Sequence, residues 1–324
     1  KTAKMKFIQN IIPKRDKKHS RFVFLDIGLG RVNIAIFDTT PEGPKFVGVG
    51  RRSFGAADTI LDATLEATDA LGAIVDELPS AAIVGVSGGK LDTISTIAKY
   101  TREKPKQAID KNEASSVLEK VSAEEKENLK IFFSTITSAN IDGAKLTNPI
   151  GVKGEKAEVN CFIAFKPEEE LKIYDQIIDE LELKPEKIIP TSFAVTQMVS
   201  KDLTGNTLLL RIGQTKTEAA QVHRGNLIKV TNIDLGAEQL DYYPFALEAL
   251  LEKQNPEERT SLIWLYADSD EVNLVDIEEK LASVDWKKKF DFKEEIKIER
   301  ASGENNFGQS DMGLLALSLQ EIFN

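Results

Sequence analysis

The chain has 324 residues, 41% of them apolar, and a formal net charge of −10. That much apolar sequence can fill large cores and predicts more than one domain, while the acidic balance argues against a nucleic-acid partner. No apolar run approaches the length of a spanning helix, no secretory signal is visible, and the single cysteine, Cys161, excludes an internal disulfide framework and suits a reducing compartment.

Residues 1–21 carry eight Lys or Arg against one acid, Asp16. Within "MKFIQNIIPKRDKK" the apolar Met5, Phe7, Ile8, Ile11 and Ile12 can share one helical face, flanked by Lys14, Arg15, Lys17 and Lys18. Such a segment can lie on an anionic membrane surface; the plainer reading is an unstructured leader. Lys1 is not an initiator residue, which fits a segment of something longer.

After the leader, 22–28, 31–38 and 45–53 read as strands joined by short turns. Residues 57–78 read as a helix, with Ile60, Leu61, Leu65, Leu71, Ile74, Val75 and Leu78 at helical spacing before Pro79. "AAIVGVSGG", 81–89, is a short buried strand entering a turn. A polar stretch, "KYTREKPKQAIDKNEAS", then leads to a helix near 111–121, strands near 128–138 and 156–165, and a helix at 167–183. Cys161 falls in the alternating run "AEVNCFIAF", which predicts a buried structural thiol.

"EKIIPTSFAVTQMVS", 186–200, is a strand tip running into a helix. Strands follow at 207–213, 216–223 and 226–234, then a helix at 237–253, a strand at 261–266, a helix near 274–284, a strand near 295–298 and a helix at 310–323. The order βββαβ thus occurs twice, an internal duplication.

The duplication is visible in letters. "FLDIGLGRVNIAIF" (24–37) aligns without gaps on "LLRIGQTKTEAAQV" (209–222), placing Gly28 over Gly213 and Asp26 over Arg211. A hairpin tip with Gly28 and Gly30 brings backbone N–H groups close to an anion, because no Cβ intervenes. Asp26, at the end of its strand, can hold a hydrated Mg²⁺. Each motif alone is an ordinary β-turn; two aligned copies opening equivalent units suggest a clamp on a nucleotide. The candidate cofactor-binding residues are Asp26, Gly28, Gly30, Arg31 and Asn33 in the first copy and Gly213, Gln214, Thr215 and Lys216 in the second. His19 and His223 have no second plausible ligand near them in sequence, so no metal site is expected beyond that Mg²⁺.

These motifs resemble the actin-like superfamily, in particular its FtsA (cell division) and PilM (type IV pilus) branches. "FLDIGLGRVNIAIF" is similar to the first phosphate hairpin, "GVSGG" to the exit into an inserted subdomain, and "IDGAKLTNPIGVKGEKAEV" to a stretch inside that insert. "IIPTSFAVTQMV" and "LLLRIGQTKTEAAQVHRGNLIKVTNIDLGAEQL" resemble the interlobe helix and the second phosphate hairpin. The resemblance implies an α/β fold of duplicated RNase H-like lobes with an inserted α+β subdomain. The expected division is a leader at 1–20; a first lobe from 21–89, 185–201 and 305–324; the insert at 90–184; and a second lobe at 202–304. Only 235–260 stand where the family places the upper subdomain of lobe two, so that subdomain is expected to be absent.

The departures are chemical. The second hairpin's aspartate is Arg211, the family's glutamate before the proline is Ile189, and the glycine-rich adenine strand end is "WLYADSD", 264–270. Phosphoryl transfer needs a positioned metal, a positioned water and a closed site, and an arginine repels a nearby Mg²⁺. The resemblance implies ATP and magnesium; the departures predict a vestigial cleft without catalytic residues or a bound nucleotide. Arg211 is then left to bind phosphate together with Lys216, to cap its strand in solvent, or to pair with an acid across the cleft.

The function so implied is a non-catalytic, cytoplasmic, membrane-associated scaffold of cell division or pilus assembly. The resemblance places a protein partner in a groove between the first lobe and the insert, allows head-to-tail self-association, and leaves the leader for an anionic membrane. The alternatives are a weakly hydrolysing actin-like ATPase and the cytoplasmic part of a longer secretion or pilus platform protein of the GspL type.

Overall fold

The computed structural model describes residues 21–40, 43–55, 58–122, 128–200, 205–252, 254, 259–290, 295–302 and 307–322. The leader residues Met5, Phe7, Ile8, Ile11, Ile12, Lys14, Arg15, Lys17 and Lys18 lie outside them. Among the described residues, 92–171 form one compact unit and the rest form a second.

The larger unit holds two five-stranded sheets of the same design. The first is built from β1 (Arg21–Ile27), β2 (Arg31–Thr40), β3 (Gly43–Ser53) and β4 (Ala81–Val86), with α1 (Ile60–Gly72) between β3 and β4. The chain then leaves for β5 (Asp92–Thr101), α2 (Lys111–Val121), β6 (Leu129–Ile141), β7 (Ala144–Leu146) and β8 (Lys156–Pro167). It passes through α3 (Glu168–Glu180) to β9 (Lys184–Pro190), which completes the first sheet, and α4 (Thr191–Val199).

The second sheet repeats the pattern. It comprises β10 (Asn206–Ile212), β11 (Thr217–His223), β12 (Asn226–Ile233), α5 (Tyr243–Leu251), β13 (Leu262–Ala267), α6 (Leu274–Ala282), α7 (Trp286–Phe290) and β14 (Lys297–Arg300), and α8 (Met312–Ile322) follows. The strand orders are β3-β2-β1-β4-β9 and β12-β11-β10-β13-β14. In each, the first three strands are antiparallel and the fourth runs parallel to the first.

The correspondence extends to single hydrogen bonds. Gly28 N donates to Arg31 O and Gly213 N to Lys216 O, both at 2.8 Å. Ser87 N donates to Ile27 O, and Asp268 N to Ile212 O. Registers therefore align Asp26 with Arg211, Asn33 with Glu218, Gly85 with Tyr266, and Ser87 with Asp268.

Six of seven residues of β1 and all of β4 are buried. Such near-continuous apolar strands mark a sheet covered on both faces. On one face Gly50 of β3 lies against Ala67 of α1. On the other, Leu317 of α8 and Thr191 of α4 close over Gly85. Although α8 follows the last strand of lobe two, it packs on β1–β4 of lobe one, whereas α4 reaches β10 and β12 of lobe two. The core of lobe two gathers Leu208, Leu210, Ile263, Leu265, Leu247 and Ile277 beneath α5 and α6.

Three expectations are corrected. The helix expected at 57–78 begins at Ile60, capped by Thr59 Oγ1 accepting from Asp62 N, and ends at Gly72; Ile74 beyond it is 60% exposed. The helix expected at 237–253 is split: 237–242 form a 3₁₀ turn with Gln239 out of helical conformation, and Pro244, which lacks an N–H to give, sits in the first turn of α5. Strand β5, "DTISTIAKYT", occupies sequence whose polar continuation hid its alternation.

The smaller unit is a sheet of order β5-β8-β6-β7. Val117 and Leu118 of α2 and Ile109 pack on Ala139, Ile141, Ala157, Val159 and Cys161. Arg102, buried, gives Nε and Nη2 to the two carboxylate oxygens of Glu113 at 2.6 and 2.8 Å, and reaches the carbonyls of Gly154 and Gln107. The "IDGAKL" stretch is the β6–β7 hairpin, turned at Asp142 (φ 49°), whose carboxylate accepts from Glu155 N and Lys156 N.

Cys161 is fully buried, and burial pushes its thiol up to about 11. A maleimide or disulfide reagent is therefore expected to leave the native protein unlabelled near neutral pH and to label it in step with denaturant unfolding. Rapid labelling of the native chain would contradict this packing.

Candidate functional site

Strands β1 and β10 each end in a buried charge, and the two charges meet. Arg211 Nη2 donates to Asp26 Oδ2 at 2.7 Å, and Nη1 donates to Asp26 Oδ1 at 3.1 Å and to Ser87 Oγ at 2.7 Å. Its Nε donates to Asp268 Oδ1 at 2.8 Å. The side chains of Asp26, Arg211 and Asp268 are 0, 1 and 1% exposed. Thr191 Oγ1 adds a bond to Asp26 Oδ1 at 2.8 Å. Burial by itself would lower the pKa of the Arg211 guanidinium; the facing carboxylates of Asp26 and Asp268 outweigh it and hold the group well above its ordinary value. The cation is thus permanent, and four of its five N–H groups are engaged.

The second carboxylate has further partners. Leu29 N donates to Asp268 Oδ1 at 3.0 Å and Gly30 N to Asp268 Oδ2 at 2.9 Å. The anion lies hard against Gly28, where a Cβ would fall 2.1 Å from Asp268 Oδ1 and 2.6 Å from Arg211 Nη2. No larger residue fits that turn while the carboxylate stays in place.

Around this centre the lobes are tied again. Arg31 Nη2 donates to Asp270 Oδ2 at 3.0 Å, Gly88 N to Glu218 Oε2 at 2.9 Å, and Asn232 Nδ2 to Gly89 O at 2.9 Å. Gly213 faces Leu29, whose Cβ lies 3.2 Å from where a Cβ on Gly213 would sit. The two hairpin tips are in contact.

The structure thus brings Asp26, Gly28, Gly30, Arg31 and Gly213 together. Asn33 lies beside Asp26 in register, fully buried, and its amide has no hydrogen-bond partner among the described residues. Thr215 and Lys216 are exposed, and Gln214 turns to Glu271. The back of the second tip is filled by backbone: Ala237 N donates to Gly213 O and Glu238 N to Gln214 O. Arg211 takes the third course open to it, pairing with acids across the cleft. Sequence reasoning missed Ser87, Thr191 and Asp268. Asp268 could have been found by laying "LIWLYAD" over "AAIVGVS", which sets it on Ser87. Among the described residues, no group of His, Cys, Asp and Glu side chains could hold a metal ion, and no helix is long and apolar enough to cross a membrane.

No family model and no curated protein matches the chain. Solved structures do. A chain of the PilM-PilN type IV pilus biogenesis complex aligns over 93% of this chain and 98% of its own, with 11% identity and a TM-score of 0.60. A Bacteroides thetaiotaomicron protein with an actin-like ATPase fold and unknown function aligns over 92% and 95%, with 10% identity and a TM-score of 0.49. The cytoplasmic domain of EpsL, an inner membrane component of the type II secretion system of Vibrio cholerae, aligns over 94% and 95%, with 12% identity and a TM-score of 0.44. The two matched lobes, and a likeness to the PilM-PilN chain along nearly its whole length, identify this chain as having the actin-like fold.

Proposed function

We propose that the chain is a non-catalytic, cytoplasmic scaffold or adaptor that works by binding a protein partner. One observation carries this reading: the place where an actin-like clamp would grip a magnesium–phosphate group is taken by the chain's own side chains. Asp26 is engaged by Arg211 and Thr191, the Leu29 and Gly30 amides by Asp268, and Leu29 itself rests on Gly213. A guanidinium on Asp26 excludes a divalent cation by charge, and a buried carboxylate on the amides excludes a phosphate by charge and volume. The residues present do not fit a magnesium nucleotide.

The class of partner comes from the PilM-PilN complex, an assembly of proteins in pilus biogenesis. We carry over only that class, a protein partner of a pilus apparatus. The insert, a separate compact unit at 92–171, is the expected partner-binding part and a means of self-association. The basic leader would add peripheral membrane attachment.

Isothermal calorimetry with ATP and Mg²⁺ on the intact chain tests the reading. No binding heat is expected. Micromolar ATP binding that depends on Mg²⁺ and disappears in Asp26→Ala would return the protein to the ATPases.

A further inference from the structure

We infer that the first hairpin tip is a working oxyanion cradle, which the chain fills with its own Asp268 as a tethered ligand. This rests on the reading that the cleft holds no nucleotide, and it names what stands there instead.

The geometry is that of anion recognition. Two consecutive amides, Leu29 N and Gly30 N, converge on the two oxygens of one carboxylate, at 3.0 and 2.9 Å. A guanidinium N–H reaches the same group at 2.8 Å. Successive backbone N–H groups in a turn form a concave anion site, and a cation beside them strengthens it. Gly28 keeps its own N–H for Arg31 O and, lacking a Cβ, lets the anion approach. The carboxylate they hold is 1% exposed and comes from 238 positions further along the chain. Local turn formation does not account for a contact between such distant residues.

The duplication shows what the sequence gave up for this. At the register position of Asp268 the first lobe has Ser87, and both Ser87 Oγ and Asp268 Oδ1 accept from Arg211. The second hairpin is packed differently: Gly236 lies against its turn, where a Cβ would fall 2.3 Å from Gln214 O and 2.4 Å from Thr215 N, and its Thr215 and Lys216 are exposed. One tip was kept as an anion receptor and supplied with an internal anion. Because receptor and ligand belong to different lobes, the internal anion also holds them shut.

The cradle should accept a free small oxyanion once its tethered one is cut away. Asp268→Ala is expected to unfold several degrees below the parent. Inorganic phosphate at tens of millimolar should then restore a few degrees of Tm in a saturable manner, with chloride at matched ionic strength as control. The unaltered protein should show no phosphate-specific gain. Adding Arg211→Met to Asp268→Ala should abolish the response. Should Asp268→Ala fail to fold, Asp268→Ser and Asp268→Asn, both of which remove the negative charge while keeping a polar side chain, serve the same comparison. A folded Asp268 variant with no phosphate-specific gain overturns the inference, as does an equal gain in the unaltered protein. Either result leaves the nucleotide calorimetry, done on the unaltered chain, to judge the scaffold reading separately.

Discussion

Arg211→Ala is expected to cost about 3–5 kcal/mol of folding stability. Truncation leaves Asp26 and Asp268 buried without the cation they share, with Thr191, Leu29 and Gly30 as their remaining donors. The cost is mainly that of stranding two carboxylates, so it exceeds what the ion pairs add to the intact protein. This separates two variants that look alike. Replacing the whole group, Asp26→Leu with Arg211→Met and Asp268→Leu, removes these three buried charges at once and is expected to be far milder than Arg211→Ala, since buried ion networks exchanged for apolar side chains of similar size are often neutral. Urea unfolding of the parent, the single and the triple variant measures both. A single variant within about 1 kcal/mol of the parent would show that Arg211 is solvated and that the lobes are not joined through it.

Gly50→Ala is expected to cost about 3 kcal/mol or more. A Cβ at residue 50 would stand 1.8 Å from the carbonyl oxygen of Ala67 and 2.9 Å from Leu71 N, both main-chain atoms of α1. No rotamer change relieves a clash with backbone, so helix and sheet must separate along the whole contact. Gly72→Ala in the same helix is the control. Nothing lies within 4 Å of the added methyl there, and an alanine in a helix is expected to be neutral or to stabilise by about 0.4–1 kcal/mol. Thermal unfolding of the two variants should therefore move in opposite directions or differ by several degrees. Similar behaviour of both would mean that α1 is not seated on β3 as described.

The repeated hairpins were legible because each opens on a short, near-continuous apolar run closed by a glycine turn, and both turns make the same bond, Gly28 to Arg31 and Gly213 to Lys216. That only 234–261 stand between β12 and β13 was legible from chain length alone. Helix ends were less so. Apolar spacing carried the α1 reading past Gly72 to Leu78, because periodicity does not record where a cap forms. The centre of the site was half legible. Aligning the copies exposed Arg211 against Asp26, but which acid Arg211 would find is a tertiary fact. Asp268 follows a strand that reads as a degenerate adenine contact, and its partners Leu29 and Gly30 contribute only backbone, which has no signature in the letters. Thr191 likewise reads as the start of a helix and nothing more.

The crossing of α4 and α8 between lobes has a practical consequence for anyone dissecting this molecule. The sheet of the first lobe relies, on one face, on a helix encoded more than a hundred residues after its last strand. Expressing 21–200 by itself would leave the Asp26 face of that sheet with α4 but without the cover of α8, and a fragment beginning at 205 would carry α8 without the sheet it packs on. Crystallographic or binding work should therefore keep both ends of this region in one polypeptide, or supply the missing helix in trans as a peptide.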